Sequence, residues 1–300
     1  MGLSDALRLL ALAACWGLAF VFIRVAAPSF GVAALVEART AIACVILLAC
    51  ARLAATPLRM RANWPRYLAF GLFNSALPFC MIALAQTVLT ASFTVILVSV
   101  TPLLSALIAA AWLNEALTAR KGAGLLLGIA GVTMLMGWAP LGTTPPPAWA
   151  IALALGASLS YGAASVYTKK HVADIPPLAA AAGSQFCATL LLLPLVLLYP
   201  PNMAPPPAAW ASVAALALFS SSLAFLLYFR LIADIGPVKT MAVNYLSPLF
   251  GVGGGILLLD EAVTLNMLAG GAVIGAGTAL VLGTPGTSGT PRPTPPSRPG

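Results

Sequence analysis

The residues that could do chemistry are few and sit among apolar neighbours. Asn74 falls about midway along one apolar run. Asn244 and Tyr245 fall in the first half of another, just before Pro248, and Ser99 and Thr101 stand before Pro102 in a third. A polar group deep in a bilayer is costly unless it meets a partner, a cavity or a solute. Such residues either line one solute-binding cavity or hydrogen-bond helix to helix. Trp16, Phe20, Phe79, Tyr161, Phe225 and Tyr228 add aromatic surface. A pocket of rings would suit an apolar side chain, and a ring face would suit an ammonium group. Pro78, Pro102 and Pro248 each remove a backbone donor inside an apolar run. The carbonyl freed one turn earlier kinks the helix, giving a gating hinge, or accepts from a ligand.

Three charges interrupt the first two apolar runs: Arg24, Glu37 and Arg39. At 1.5 Å per residue, Arg24 and Glu37 each lie about 6–9 Å from the same end of a hairpin. Pairing across it would neutralise both, which makes them a structural salt bridge. The alternative is that Glu37 couples a proton to transport. Glu115 and Glu261 stand three residues before Thr118 and Thr264. Threonine is a good N-cap for a following helix, so both segments read as structural.

The sequence argues against several chemistries, of which a membrane-embedded lipid-modifying enzyme is kept as an alternative. The five cysteines (Cys15, Cys44, Cys50, Cys80, Cys187) lack metal-binding spacing, and His171, in a Lys-Lys-His loop, is the one histidine. No metal or other cofactor is expected. A membrane-embedded lipid-modifying enzyme would need clustered carboxylates, histidines or metal ligands, and none is present. There is no Walker-type phosphate loop, so ATP hydrolysis by this chain is not expected either.

The elements that must position these residues follow from composition. Of 300 residues, 61% are hydrophobic and 7% charged, and mean hydropathy is +1.00. Soluble domains carry about 25% charged residues, so a lipid bilayer is the solvent that suits this chain. The predicted spans are 7–27, 32–52, 66–86, 90–112, 121–138, 148–168, 177–199, 209–230, 238–259 and 266–283. The fold expected is all-α, with ten transmembrane helices. The first run follows Asp5 rather than a basic stretch and reads as a span, not a leader. Pro28 with Gly31, Pro145 to Pro147, and Pro200 with Pro201 mark turns. Trp64, Trp138, Trp149 and Trp210 flank spans and fit an interfacial belt. The net charge of +8 does not indicate nucleic acid, because all but Arg24 and Arg39 of the 15 basic residues lie in segments of one side. The positive-inside rule makes that side the cytoplasm and puts both termini there.

The chain also repeats itself. Shifted by 146 positions, Pro102 falls on Pro248, Glu115 on Glu261, Ala116 on Ala262, Thr118 on Thr264, Gly124 on Gly270 and Gly131 on Gly277. With one residue less, Gly17 meets Gly162 and Arg24 meets Lys169. The units are 1–138 and 139–283, followed by a Pro-, Thr- and Gly-rich cytoplasmic tail over 284–300 that is expected to be disordered. Each unit has an odd number of spans, five, so the second must enter the membrane inverted. Inverted repeats around a midplane site are a transporter signature. The glycines Gly124, Gly128, Gly131, Gly270, Gly271 and Gly277 permit close packing, so the last span of each unit braces the bundle or forms a homodimer face.

Trp16-Gly17, Arg39 opening the run RTAIACVILL, and two blocks of the form Pro, about a dozen residues, Glu-Ala-x-Thr and a glycine-spaced helix resemble the drug/metabolite transporter superfamily in its ten-helix EamA branch. The likeness covers roughly residues 5–283. It implies a basket of helices around a central cavity, and a secondary transporter exporting amino acids, possibly aromatic or other apolar ones, or related metabolites. Relatives that move sugar phosphates or nucleotide sugars use basic cavity residues. The candidate here is Lys239-Thr240, otherwise an anchor at the start of the ninth span.

Overall fold

The computed structural model describes residues 2–137, 146–201, 204–236 and 240–282. Among them every regular element is a helix. The elements are α1 (Leu3–Gly17), α2 (Ala19–Leu53), α3 (Met60–Gly71), α4 (Leu77–Ala85), α5 (Ala91–Val98), α6 (Thr101–Leu113) and α7 (Ala119–Gly137). Then come α8 (Ala148–His171), α9 (Pro177–Leu198), α10 (Pro207–Ala215), α11 (Ala224–Ile235), α12 (Val243–Leu259) and α13 (Leu265–Leu282). The expected tail over 284–300 and the Lys239 candidate lie outside the described residues.

Large apolar side chains cover the outside of the bundle. Leu257 is 81% exposed and Leu126 69%. Only hydrocarbon solvates such a surface without penalty, and a helix satisfies its own backbone groups within it. Among the described residues, seven helical stretches are long and apolar enough to cross a membrane. One, Leu3–Leu53, has 51 residues, about 76 Å of helix, more than twice the ~30 Å hydrocarbon thickness. It therefore holds two passes. No loop separates them: the chain breaks at Gly31, with φ 70° and ψ 163°, a region that only glycine enters readily. Pro28 stays inside the helix. Reading α7 (19 residues) and α12 (17 residues) as the remaining passes gives the expected ten.

The two halves repeat each other in detail. Residues Leu72–Ala76, between α3 and α4, and Leu216–Leu223, between α10 and α11, form π-helical turns at matching places. Helices α6 and α12 end on Asn114 (φ 54°) and Asp260 (φ 51°), again a matched pair. Contacts between halves repeat too. Gly17 lies against Ser247 and Gly251 of α12, and its counterpart Gly162 lies against Ser105 of α6.

The tightest crossing joins α7 to α13. A Cβ on Gly124 would lie 2.7 Å from the Gly277 carbonyl oxygen, and one on Gly277 would lie 2.6 Å from that of Gly124. Gly131 and Gly270 meet in the same reciprocal way, at 2.8 and 2.9 Å. Because Gly124 matches Gly270 and Gly131 matches Gly277 in the repeat, these pairings exchange under a twofold rotation. The helices therefore run antiparallel about a local axis, as inverted copies must. The glycines brace the bundle, and a homodimer cannot use the same face.

The largest apolar cluster lies where α2, α4, α8, α9 and α10 meet, around Phe30, Leu35, Phe79, Ile82, Leu192 and Leu216. Phe20 and Tyr161 pack against it.

Candidate functional site

Two polar clusters and one set of ion pairs stand out. The first cluster is a cavity of about 300 Å³ between α5, α12 and α13. It brings together Ser99, Asn244, Tyr245 and Pro248, with Met267, Gly271 and Thr278 completing the wall. The sequence folds this way because helix breaks fall beside it. Between α5 and α6 the chain interrupts its helix at Ser99 and Val100, and Pro102 starts the next one. The Thr101 hydroxyl donates to the Val98 carbonyl at 2.7 Å, which satisfies the acceptor that Pro102 leaves free. Ser99 donates to Ile96 at 2.6 Å, and Asn244 donates to the Met241 carbonyl at 3.1 Å. Pro248 lies within α12. Its missing N–H leaves the Asn244 carbonyl at the cavity without its helical donor. The wall is mainly apolar with a few polar groups, the usual make-up of a small-molecule site.

The second cluster surrounds Arg39, which is 4% exposed. Its Nε donates to Ser221 Oγ at 2.8 Å and its Nη2 to Ser220 Oγ at 3.0 Å. The guanidinium carbon sits 3.8 Å from the centroid of the Phe79 ring, within cation–π range. Both serines belong to the second π-helical turn, where Ser222 donates to the Ala217 carbonyl five residues back at 2.8 Å. That turn buries three serines in succession. In the first π-helical turn, the Phe73 carbonyl accepts from Ser160 at 2.7 Å. Asn74 lies in that turn, half-buried.

The aromatic residues do not form one pocket. Phe79 belongs to the largest apolar cluster and carries the Arg39 guanidinium on its ring, while Phe20 and Tyr161 pack against that same cluster. Trp16 and Tyr228 pair at 5.5 Å between α1 and α11. Phe225 stacks on Phe229 at 6.1 Å, beside α2 and α9. Pro78 lies inside the continuous helical stretch Met60–Ala85, directly after the first π-helical turn.

The predicted Arg24–Glu37 salt bridge is not formed. Arg24 instead donates to the backbone carbonyls of Gln86, in a short contact, and of Thr87 at 3.2 Å. These are orphan carbonyls past the end of α4, where a cation is favoured by the helix dipole. Gln86 returns a hydrogen bond to the Phe20 carbonyl at 3.1 Å. Glu37 Oε2 is buried without a hydrogen-bond partner.

Glu115 and Glu261 are structural, as expected, but in different ways. Glu261 accepts from the backbone N–H groups of Ala91 (2.7 Å) and Ser92 (2.9 Å), capping α5. Glu115 binds Lys169 at 2.6 Å and Lys121 at 3.5 Å. The Lys169 contact holds the Glu115 carboxyl below the usual glutamate range. Thr118 and Thr264 accept from the N–H groups of Lys121 and Met267, both at 3.3 Å. Further ion pairs link Arg8 to Asp234 at 2.7 Å and Arg66 to Asp174 at 2.8 Å, and Arg66 holds the exposed Asp174 carboxyl below its usual range. Arg8–Asp234, Arg66–Asp174 and Glu115–Lys169 each join the first half of the chain to the second.

Sequence reasoning did not place Arg39 or Ser221 in a site. The signal for Arg39 was a lone charge inside an apolar run. For Ser221 it was three hydroxyls in succession within another.

Comparison with known proteins gives the same fold. The profile of the EamA-like transporter family matches residues 4–137 and again 148–283. The chain is 28% identical over 271 residues to a probable terminal-alkyne amino-acid exporter of Streptantibioticus cattleyicolor, covering 89% of both chains. It is 26% identical over 229 residues to the uncharacterized transporter YvbV of Bacillus subtilis, covering 75% of this chain and 73% of that one. A protein of known crystal structure superposes with a TM-score of 0.65 at 21% identity, over 93% of this chain and 96% of its own.

Proposed function

Because the chain belongs to the EamA-like transporter family, within the drug/metabolite transporter superfamily, we propose that it is a secondary exporter of amino acids with apolar or aromatic side chains, working by alternating access. It is a multi-pass membrane transporter and not an enzyme. The proposal adds the substrate class, the direction and the mechanism.

The observation that carries alternating access is the reciprocal glycine pairing of α7 with α13. Two inverted halves related by a local axis can exchange conformations, which opens one side and then the other. Supporting the substrate class are the mostly apolar cavity at Ser99, Asn244 and Tyr245, the rings at Phe79 and Tyr161, and the amino-acid exporter named in Streptantibioticus. The charge bias supports a cytoplasmic location for both termini, and the bacterial relatives support an inner membrane as the site. On that orientation, Arg8–Asp234, Arg66–Asp174 and Glu115–Lys169 hold the two halves together at the cytoplasmic face, and Glu261 joins them at the other through α5. Exchange of these contacts would gate the path, with Pro102 and Pro248 as hinges.

The test is flux in proteoliposomes. Labelled L-phenylalanine and L-leucine are expected to cross faster than in protein-free vesicles, and glucose 6-phosphate and UDP-glucose are not. Flux confined to the sugar phosphates would transfer the reading to that substrate class. With Glu37 unpaired, proton coupling becomes the second reading. An imposed pH gradient should drive flux in the wild type and fail to do so in Glu37→Gln. An equal pH response in both would exclude coupling through Glu37.

A further inference from the structure

Arg39 is a buried cation to which no carboxylate side chain of this protein is committed. The chain has seven carboxylates. Asp5 and Asp234 hold Arg8, and Asp234 also holds Arg230. Asp174 holds Arg66, Glu115 holds Lys169 and Lys121, and Glu261 caps α5. Asp260 is exposed at the end of α12. Glu37 lies two residues before Arg39 on α2, about 200° away around the helix, and forms no ion pair.

The setting is deep. Arg39 is eight residues from the break at Gly31, about 12 Å along the helix, near the middle of a ~30 Å hydrocarbon layer. Among the described residues it meets neutral groups there, including two serine hydroxyls and the Phe79 ring. A guanidinium offers five N–H donors in a planar fork. Nε and Nη2 are engaged, and Nη1 donates to none of the described residues. An ionic group without a counter-ion inside a membrane is expensive and marks a solute pathway. A planar fork with free N–H groups matches a carboxylate.

We propose that Arg39 is the docking point for the carboxylate of the transported solute. Ser220 and Ser221 fix the guanidinium plane through Nε and Nη2 and leave Nη1 for the ligand. Phe79 and Tyr161 supply the apolar wall beside it. The assignment rests on the reading of the chain as an amino-acid exporter and adds the recognition element. It accepts amino acids and other monocarboxylates and rejects the corresponding amides and amines. The second π-helical turn acquires a purpose, since it presents consecutive hydroxyls to one side chain.

The test compares L-phenylalanine with L-phenylalaninamide, in which a neutral carboxamide replaces the carboxylate, in proteoliposomes. The wild type should carry phenylalanine and discriminate against the amide. Arg39→Gln should lower phenylalanine flux about 10- to 100-fold and lose the discrimination, whereas Arg39→Lys, which keeps the charge, should retain part of both. If Arg39→Gln does not fold, as judged by size exclusion, the Ser220→Ala/Ser221→Ala double variant keeps the charge and frees the fork. It should raise KM for phenylalanine while the maximal rate changes little. A folded Arg39→Gln that transports phenylalanine with wild-type KM and selectivity, or a double variant with unchanged KM, overturns the assignment and leaves amino-acid export standing. A wild type that carries neither compound refutes the export reading and this inference with it.

Discussion

Alanine substitution at Gly277 tests the crossing of α7 with α13 on which the inverted arrangement depends. A Cβ at Gly277 would lie 2.6 Å from the Gly124 carbonyl oxygen and 3.2 Å from the Gly128 amide nitrogen. Both are backbone atoms, so no side chain can rotate aside. The helices must move apart by several tenths of an ångström along the whole contact. Overpacking of this kind costs about 1–3 kcal/mol. Gly275 lies two residues earlier on the same helix, and a Cβ there meets nothing within 4 Å. Removing a helical glycine at an open position gains roughly 0.5–1 kcal/mol. Gly277→Ala and Gly275→Ala are therefore expected to differ in stability by about 1.5–4 kcal/mol, with opposite signs relative to wild type. Unfolding of the detergent-purified protein, followed by tryptophan fluorescence, measures this. Equal stabilities, or a Gly277→Ala as stable as wild type, would refute the α7–α13 register and the local twofold axis with it.

Other perturbations follow from the same contacts. Gly31→Ala forces an L side chain into φ 70°, ψ 163° and should destabilise by about 1–3 kcal/mol in the same assay. Glu261→Gln points an NH₂ group at one of two backbone donors on α5 and should cost about 1–3 kcal/mol, whereas Glu115→Gln, whose partners are flexible lysines, should cost less. The depressed Glu115 carboxyl makes the Lys169 contact fully stabilising above the ordinary glutamate range. That contribution is lost as pH falls through the lowered value of the folded state. Stability should therefore decline at the acid end in the wild type, and Glu115→Gln should remove that part of the decline, read as unfolding midpoint against pH.

Much of the fold was legible because two strong signals act locally. Apolar runs of about 20 residues are read one segment at a time, and many helix ends came within a few residues of those observed, as at Ala91–Leu113 and Leu265–Leu282, whereas the helix expected from 66 begins at Met60. The ordered matches from Pro102/Pro248 to Gly131/Gly277 disclosed two copies without any structure. Odd span number then required inversion. The turn after the first span was read as a loop at Pro28 and Gly31, yet the helix continues through the proline and breaks at the glycine alone. Pro28 lacks only one donor, whereas Gly31 adopts a conformation barred to other residues.

The site was legible in part. Ser99, Asn244, Tyr245 and Pro248 were singled out one by one as polar or helix-breaking residues in apolar runs, and they do meet. The Arg24–Glu37 pair was inferred from equal depth alone. Depth does not fix azimuth around a helix, and the carbonyls past the end of α4 were nearer to Arg24. The serines that hold Arg39 lie 181 and 182 positions away in the chain. No local pattern could join them.

Sequence by itself determined that this chain lives in a bilayer, that it consists of helices, and that its halves are inverted copies. Each of these follows from composition, period or parity. Tertiary structure alone decided which glycines touch, where Arg24 goes, and that Arg39 is left with hydroxyls and a ring but no anion. Those outcomes depend on how helices are rotated and brought together, and rotation about a helix axis is what a one-dimensional pattern specifies least.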